Sequence, residues 1–335
     1  MPNNDNFIKL VKKEDVALFL QLFKDVDDNI YSLLRSANIP NDINNDVETY
    51  QYLPETTLKN ILQMLGDSNT KEEYALNVWS FCKQVYIPTY VQSLTKGTTL
   101  KAALDEFSEQ LQHKSSGAKV YTKYSGGKWW LVREKAYSDD NWFLYAEIFS
   151  VIFINELLSA LTLGSWKPKE VGVQSHDLQD FLNLPQLGSA QFYTERPVTA
   201  FSIPEALMFT PVEAISAHSI QDQTIYSPLP TSFLSSFQLA IEPYLSMGRL
   251  PIKLASEILN INTRTLQRKL EAEGVVYQNF IEDLVMERIK QLLINSELSI
   301  TEVASKMGYS DSAHFTRAFK RTMKMTPSQY RKSGR

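Results

Sequence analysis

The chain has 335 residues, of which 43% are hydrophobic and 21% charged, and its formal net charge is −4. This length favours two domains with buried cores, and a content of 12 glycines and 14 prolines excludes collagen-like and largely disordered proteins. The single cysteine, Cys82, excludes an internal disulfide and a cysteine-rich metal site, and we therefore expect a cytoplasmic protein.

The N-terminal part begins with four predicted amphipathic helices, because apolar residues recur there at spacings of three and four. These helices cover residues 14–36, 55–65, 71–86 and 99–112. Residues 118–136 then alternate apolar and polar side chains on both sides of Gly126 and Gly127. This alternation around a tight turn predicts a β-hairpin.

A long apolar segment, residues 142–163, predicts a helix that is buried in a core or lies at a dimer interface. It contains Glu147 and Glu156, and a charged residue at the centre of a bilayer costs about 2.5–3.5 kcal/mol, so a membrane span is not favoured. The two carboxylates could form an acid/base pair, but carboxylates satisfied by buried partners are the expected arrangement. Short strands are predicted at Glu170–Gln174 and Gln191–Tyr193.

These patterns divide the chain into two domains and a linker. Residues 1–211 are predicted to form an α+β domain of helices plus a small sheet, and residues 212–232 a polar linker rich in Pro and Ser. From residue 233 to 335 the chain is predicted to be all-α. Residues 231–335 contain 15 Lys and Arg against 10 Asp and Glu, a net charge of +5, whereas the preceding residues carry −9. A basic region on an acidic chain suggests a polyanion-binding module.

Residues 251–274 predict two short helices with a break at Asn260–Asn262. The second helix turns Leu266 and Leu270 inward. Its opposite face carries Arg264, Gln267, Arg268 and Glu271. A short helix, a tight turn and a second helix that exposes Arg and Gln is the arrangement that places a recognition helix in the major groove of DNA.

Residues 299–321 repeat this pattern about 48 residues later. Ser299 and Glu302 form a capping box that predicts the start of a helix, and Gly308 predicts its end. The following helix turns Phe315, Ala318 and Phe319 inward. Its outer face carries Ala313, Thr316, Arg317 and Lys320. One such pair is common in proteins, but two in tandem favour a DNA-binding function.

A longer helix, residues 277–296, is predicted between the two pairs. Its apolar stripe consists of Phe280, Ile281, Leu284, Val285, Ile289, Leu292 and Leu293. At 1.5 Å per residue this helix spans roughly 25–30 Å, which suits two recognition helices about one DNA turn, ~34 Å, apart. The predicted C-terminal domain therefore has two helix-turn-helix units joined by a long helix.

The last hundred residues resemble the AraC/XylS family of bacterial transcription regulators, from about Phe233 to Tyr330. The resemblance rests on the ERIKQLL segment of the long helix and on the elements A-x-x-x-G-Y, F-x-R-x-F-K and T-P-x-x-Y-R within residues 304–331. It implies two helix-turn-helix units that bind consecutive major grooves of double-stranded DNA. It also implies transcription regulation, with activation favoured and RNA polymerase as a partner.

The resemblance also implies residue roles. Carried over by alignment, base contacts fall on Arg264, Gln267, Arg268, Ser312, Ala313, Thr316 and Arg317. Ala313 has no hydrogen-bonding side chain and could contact only a thymine methyl group, so base recognition by the second unit depends on Thr316 and Arg317. Contacts to the DNA backbone are expected from Lys253, Lys320 and Lys324.

Residues 1–210 resemble the "arabinose-binding-like" effector and dimerisation domain of family members of about this length. The resemblance rests on YLPETTLKNIL, the hairpin, the apolar helix and FYTERPVTAFSIPEALMFTP. It implies a homodimer and a small-molecule effector, and no cofactor or metal is expected. Such aromatic clusters are usually core; if there is an effector pocket, it is expected between the hairpin and the apolar helix, lined by Tyr121, Trp130, Trp142 and Tyr145.

Enzymatic functions find little support in the sequence. His113, His176, His218 and His314 lie far apart and show no metal-ligand spacing, and nucleotide-binding and hydrolase motifs are absent. Cys82 lies in an apolar helical segment, where an inert core thiol is expected. Two functions remain: an effector-responsive transcription regulator, or a constitutive DNA-binding protein whose N-terminal domain only dimerises or binds another protein.

Overall fold

A computed structural model describes residues 7–23, 34, 37–40, 42–43, 50–94, 98–212, 230, 232–247 and 250–334. Contacts divide these residues into two units. The helical unit contains the described residues of 1–10, 45–56 and 230–335, and the sheet unit contains those of 11–44 and 57–229. Nearly all of the predicted linker, 212–232, lies outside the described residues.

The secondary structure alternates between helical and extended regions only in the N-terminal two thirds. The strands are β1 (Leu10–Lys12), β2 (Tyr52–Pro54), β3 (Val120–Ser125), β4 (Lys128–Arg133), β5 (Glu170–Gly172), β6 (Gln191–Tyr193) and β7 (Thr199–Ile203). The helices are α1 (Lys13–Phe19), α2 (Thr56–Asp67), α3 (Lys71–Phe81), α4 (Ile87–Ser93), α5 (Leu100–Lys114), α6 (Asn141–Leu161), α7 (Gln179–Leu182), α8 (Glu205–Met208), α9 (Phe233–Ile241), α10 (Ile252–Leu259), α11 (Thr263–Ala272), α12 (Tyr277–Asn295), α13 (Ile300–Lys306), α14 (Ser312–Met323) and α15 (Pro327–Ser333). This order confirms the predicted fold class, a region of helices plus a sheet followed by an all-helical region.

The predicted N-terminal helices are present with two differences. The helix predicted over 71–86 is α3 followed without a break by a π-helical stretch, Cys82–Tyr86, and by α4. The helix predicted over 14–36 is, in its described part, α1 and a 3₁₀ turn at Leu20–Phe23, and residues 24–33 lie outside the described residues.

The sheet unit is built around five strands in the order β3-β4-β7-β5-β6. Strands β3 and β4 form the predicted antiparallel hairpin, with Gly126 and Gly127 at positive φ (60° and 72°) in its turn. Such a turn requires left-handed backbone at both central residues, which glycine adopts without steric cost. Strand β7 lies between β4 and β5 and is antiparallel to both, while β5 and β6 are parallel.

Helix α6 packs against strand β7 and forms the core of the sheet unit. Its length and composition would suit a membrane span, but 78% of its most apolar window is buried within the protein. Its carboxylate Glu147 is completely buried and accepts hydrogen bonds from Gln174 N (2.7 Å), Ser175 N (2.9 Å) and Thr199 Oγ1 (2.6 Å). The prediction of a buried helix is confirmed, and Glu147 has the hydrogen-bond partners that a buried carboxylate needs.

The helical unit combines α9–α15 with two segments from the N-terminal part of the chain. Ile8 N donates to Ser236 Oγ of α9 (2.8 Å), and strand β2 also packs against α9. Thr56 Oγ1 donates to Ile258 O of α10 (2.6 Å). The helical unit therefore includes N-terminal residues, whereas two consecutive domains were predicted. Both hydrogen bonds join residues more than 200 positions apart, and no local sequence pattern reveals such contacts.

Candidate nucleic-acid interface

The first helix pair consists of α10 and α11. Helix α10 ends at Asn260, whose φ of 51° is left-handed, and this conformation redirects the chain into α11. Asn262 caps α11, because its side chain accepts a hydrogen bond from Arg264 N (2.9 Å). The Asn260–Asn262 break predicted from the sequence is therefore the turn of a helix-turn-helix unit.

The two faces of α11 differ in burial as predicted. Leu266 and Leu270 are almost completely buried against the rest of the unit. Arg264, Gln267 and Arg268 are exposed on the other face. Helix α11 thus presents two guanidinium groups and one amide, which are the groups that make bidentate contacts to guanine and adenine in the major groove.

The second helix pair consists of α13 and α14. Ser299 and Glu302 form the predicted capping box, with Glu302 N donating to Ser299 Oγ (3.2 Å) and Ser299 N donating to Glu302 Oε2 (2.6 Å). Hydrogen bonds from Ser299 lower the pKa of the Glu302 carboxyl. Gly308, at a φ of 73°, ends α13, and Asp311 caps α14 by accepting from His314 N (2.6 Å). Local sequence signals therefore define this unit almost completely.

Helix α14 also has one buried and one exposed face. Phe315 and Phe319 are fully buried, whereas Ala313 and Arg317 are exposed and Thr316 is half-buried. Ser312, half-buried, opens the helix. The hydrogen bond from His314 N lowers the pKa of Asp311, and the positive charge of Arg317 adds to this effect. The N-terminal end of α14 therefore carries an ionised carboxylate close to the guanidinium predicted to contact a base.

The motifs of the sequence resemblance have identifiable packing roles. The core of the second pair consists of Ile289, Leu292, Leu293, Val303, Ala304, Met307, Phe315 and Phe319. Tyr330 of α15 packs edge-on against Phe319 at 5.6 Å between ring centroids, and Arg331 Nε donates to Leu293 O (2.9 Å). Helix α15 thus closes the second unit against α12 and α14.

Helix α12 connects the two units. Its 19 residues extend over roughly 28 Å at 1.5 Å per residue. At its start, Tyr277 donates to Leu250 O (2.8 Å), just before α10, and burial raises the pKa of Tyr277. Near its end, Leu292 and Leu293 belong to the second core. The same helix is therefore anchored next to the first helix pair and within the core of the second.

The three lysines predicted to contact the DNA backbone lie on the surface of the helical unit. Lys253 is exposed on the first turn of α10, and Lys320 is exposed on α14. Lys324 follows α14 in a left-handed conformation (φ 59°), and its ammonium group donates to Arg321 O (3.0 Å). All three side chains remain accessible to a polyanion.

The four residues predicted to line an effector pocket lie in two places. Tyr121 and Trp130 lie on the same face of the sheet. Lys123 pairs with Trp130 and therefore shares its face, and Tyr121, two residues before Lys123 on the same strand, points to that face as well. The tyrosine hydroxyl donates to Glu134 (3.1 Å). These two residues lie on the face of the sheet opposite α6.

Trp142 and Tyr145 lie instead near the start of α6. The Trp142 ring has the ammonium group of Lys59 at 4.3 Å from its centroid. Tyr145 contacts α2 so closely that a Cβ on Gly66 would meet its ring at 2.3 Å. Leu131, on the face of the sheet towards α6, is completely buried. The four predicted residues therefore do not share one face of the sheet, and their role in binding an effector stays a prediction.

Two groups of residues important to the interface were not identified from the sequence. Thr56 joins the first helix pair to an N-terminal segment and Ser236 joins α9 to another. Asn262 and Asp311 cap the two exposed helices. Asn and Asp at these positions match the usual capping preference and could have been found, whereas the remote hydrogen bonds had no sequence signal. Among the described residues, no group of three His, Cys, Asp or Glu side chains is placed to bind a metal.

Comparison with known proteins places a family match on this region. Residues 255–333 match the family described as a helix-turn-helix domain. Over 78 residues, 23% of this chain and 24% of the relative, the chain is 32% identical to the HTH-type transcriptional regulator VqsM of Pseudomonas aeruginosa. Over 77 residues, 23% of this chain and 28% of the relative, it is 35% identical to the HTH-type transcriptional activator RhaS of Escherichia coli. The matched region thus spans about a quarter of the length of these curated relatives.

Among solved structures, the transcriptional regulator CdpR from Pseudomonas aeruginosa aligns over 95% of this chain and 97% of its own, with 16% identity and a TM-score of 0.37. The family match falls on the residues whose geometry forms the two helix pairs. Residues 255–333 are thus similar to the helix-turn-helix domains of these transcription regulators.

Proposed function

We propose that the protein is a sequence-specific DNA-binding transcription regulator whose helices α11 and α14 enter adjacent major-groove segments. The observation that carries this proposal is the pairing of two capped helices with exposed arginines, each buried on its other face and both anchored to α12. The net charge of +5 on residues 231–335 supplies the long-range attraction to a polyanion.

In this proposal the base contacts are divided between the two units. They are made by Arg264, Gln267 and Arg268 in the first unit and by Ser312, Ala313, Thr316 and Arg317 in the second. An arginine that contacts guanine O6 and N7 discriminates against other bases by about 1–3 kcal/mol. Since two of the three proposed base contacts of the first unit are arginines and the second unit has one arginine among its four, the first unit contributes more of the base specificity.

The phosphate contacts position the protein without reading sequence. They are assigned to Lys253, Lys320 and Lys324, which are solvent-accessible. Each lysine that neutralises a phosphate releases about one counterion, so binding weakens as salt concentration rises.

We further propose that the protein is a cytoplasmic homodimer whose residues 1–211 bind a small-molecule effector, and that it activates transcription in contact with RNA polymerase. Support comes from the family resemblance, and the similar protein RhaS is itself named an activator. The alternative is a constitutive DNA-binding protein whose N-terminal domain only dimerises or binds another protein.

The experiment that tests DNA recognition is a selection of bound duplexes from a random library by the full chain. We expect an enriched site with two clusters of specified bases about one helical turn apart. Fluorescence anisotropy should then show at least a thousandfold preference, on the order of 4 kcal/mol, for this site over random duplex. Equal affinity for all sequences at every salt concentration would contradict the proposal.

The effector and the dimer are tested separately. A thermal-shift screen of metabolites on the full chain should find one that raises the melting temperature and changes the affinity for the selected site, since a ligand that binds only one arrangement shifts its population. A screen without any such compound favours the constitutive alternative. Sedimentation of the full chain at micromolar concentration should show a dimer.

A further inference from the structure

The outer face of the sheet, opposite α6, contains a groove of about 530 Å³. Trp130, Val132 and Ala200 line it from neighbouring strands, and the loop Arg196–Val198 forms one wall. Both Trp130 and Val132 point away from α6, because they pair across the sheet with Ser202 and Ala200. The groove is therefore a surface feature that the packing of the core leaves open.

The placement of Arg196 depends on a glycine. A Cβ on Gly172 would lie 3.3 Å from Arg196 Cγ, so the absence of a side chain lets the arginine stem lie against the strand. Arg196 N donates to Val173 O (2.9 Å), and the guanidinium carbon lies 5.5 Å from the centre of the Tyr193 ring. No carboxylate pairs with this guanidinium among the residues that the structure describes. The arginine is thus held along the groove wall with its donors available.

The charges around the groove are unbalanced in favour of cations. Lys128 is paired with Glu170 (2.6 Å) and Lys119 is paired with Glu134, so these carboxylates are already neutralised. The exposed Lys123 adds a further positive charge to that of Arg196 on the groove lining. This excess occurs in residues 1–230, which carry a net charge of −9 overall. Charge complementarity therefore favours an anionic occupant over a cationic one.

The remaining surface of the groove is aromatic and apolar. Trp130 Nε1 donates to Ser125 O (3.1 Å), which satisfies the only polar group of the indole and fixes the ring. Tyr193 also lines the groove and is 37% exposed. A ligand that matched this surface would have a flat apolar body next to its charge, since most of the lining offers no hydrogen-bonding partner.

We propose that this groove binds a small organic anion, a carboxylate on a flat apolar body. Arg196 donates two parallel hydrogen bonds to the carboxylate, Lys123 adds electrostatic attraction, and Trp130 and Tyr193 contact the apolar body. The inference rests on the proposed regulatory function, in which this anion is the effector, and it places the site on the outer sheet face.

The test uses the full chain and two matched probes, 2-naphthoate and its neutral amide, 2-naphthamide, followed by isothermal titration calorimetry at probe concentrations up to about 1 mM. We expect 2-naphthoate to bind and 2-naphthamide to bind about tenfold more weakly, because only the anion engages Arg196. Arg196→Gln should weaken 2-naphthoate about tenfold. Lys167→Gln, which removes an exposed cation outside the groove, should leave the affinity unchanged.

Three results would overturn the proposal: no binding of 2-naphthoate, equal affinities for acid and amide, or equal effects of Arg196→Gln and Lys167→Gln. Anisotropy with the selected DNA site, measured on the same preparations, separates this failure from failure of the proposed function. Intact DNA recognition without anion binding removes only the groove proposal. Absence of specific DNA recognition by the chain without substitutions would contradict the proposed regulatory function itself.

Discussion

The two helix-turn-helix units have the same motif but are stabilised differently. The second unit is closed by residues near it in sequence: its own capping box, its buried phenylalanines and Tyr330 of α15. The first unit receives a hydrogen bond from the N-terminal part of the chain, from Thr56 to Ile258, and Ile8 donates to Ser236 of the preceding helix α9. Helix α14 is therefore positioned by residues near it in sequence, whereas the helix that precedes α11 is held by a remote segment.

The turn before α11 is supported by a residue from the N-terminal part of the chain. Ile258 O belongs to the last turn of α10, where carbonyl groups lack partners within the helix. Thr56 Oγ1 donates a hydrogen bond to this carbonyl. Ile258 lies two residues before Asn260, where the chain turns towards α11. The position of α11 therefore depends on a residue of the N-terminal part, whereas that of α14 does not.

A substitution in the core of the second helix pair tests whether this core is stable independently of the first pair. Phe319→Ala removes a fully buried ring and should destabilise α13–α15 by about 3–5 kcal/mol. Hydrogen exchange should accelerate in α13–α15 and stay unchanged in α10 and α11. The exposed neighbour Lys320, changed to Ala, serves as control. Equal acceleration in both helix pairs would show that the two units share one cooperative core.

Substitutions of the exposed arginines should affect the two half-sites of the DNA separately. Arg268→Ala and Arg317→Ala should each cost about 1–3 kcal/mol on the selected site and relax base preference only in the half-site that each unit contacts. Anisotropy on duplexes with single half-sites measures this division. Arg317→Ala should leave binding to a first half-site nearly unaffected. A loss that is equal on specific and random DNA would reassign the arginine to a phosphate.

Loss of the hydrogen bond from Thr56 to Ile258 should weaken DNA binding by the first unit alone. Thr56→Val leaves Ile258 O without its donor and should cost about 1 kcal/mol, measured as weaker binding to the first half-site only. Thr56→Ser keeps the hydroxyl group and should restore most of the affinity. Thr301→Val, on the exposed face of α13, is the matched control. Equal weakening of both half-sites would contradict the difference between the two units.

The smallest expected effect concerns the phosphate contacts. Lys320→Gln and Lys324→Gln should each weaken binding to all sequences alike and reduce the slope of log K against log salt by about 0.9. A salt titration of anisotropy measures the slope. Lys332→Gln, an exposed cation on α15, should leave it unchanged. A loss confined to the selected site would make either lysine a base-reading residue.

Sequence patterns located the two helix pairs because their signals are local. The inward residues of α11 and α14, such as Leu266 and Phe315, were predicted from helical periodicity alone and are buried. Strand β7 was missed because all five of its residues are buried, so apolar and polar positions do not alternate. Strands β1 and β2 span only three residues each, too few to show a period.

The positions of the aromatic side chains in the candidate effector site could not be predicted from the sequence. Aromatic content near the hairpin indicated a possible pocket, but it could not tell which face of the sheet each ring occupies. Trp130 lies on the open outer face, whereas Trp142 and Tyr145 pack at the start of α6. That assignment requires strand register and the packing of α2, which only the three-dimensional structure supplies.

The most direct test of the account is methylation interference with the full chain on the selected DNA site, since methylation of guanine N7 reports on the major groove. We expect two clusters of interference centred about 10 base pairs apart on one face of the duplex. Arg268→Ala should remove signals from one cluster and Arg317→Ala from the other. A single cluster that Arg317→Ala leaves intact would contradict the claim that both helix-turn-helix units read DNA.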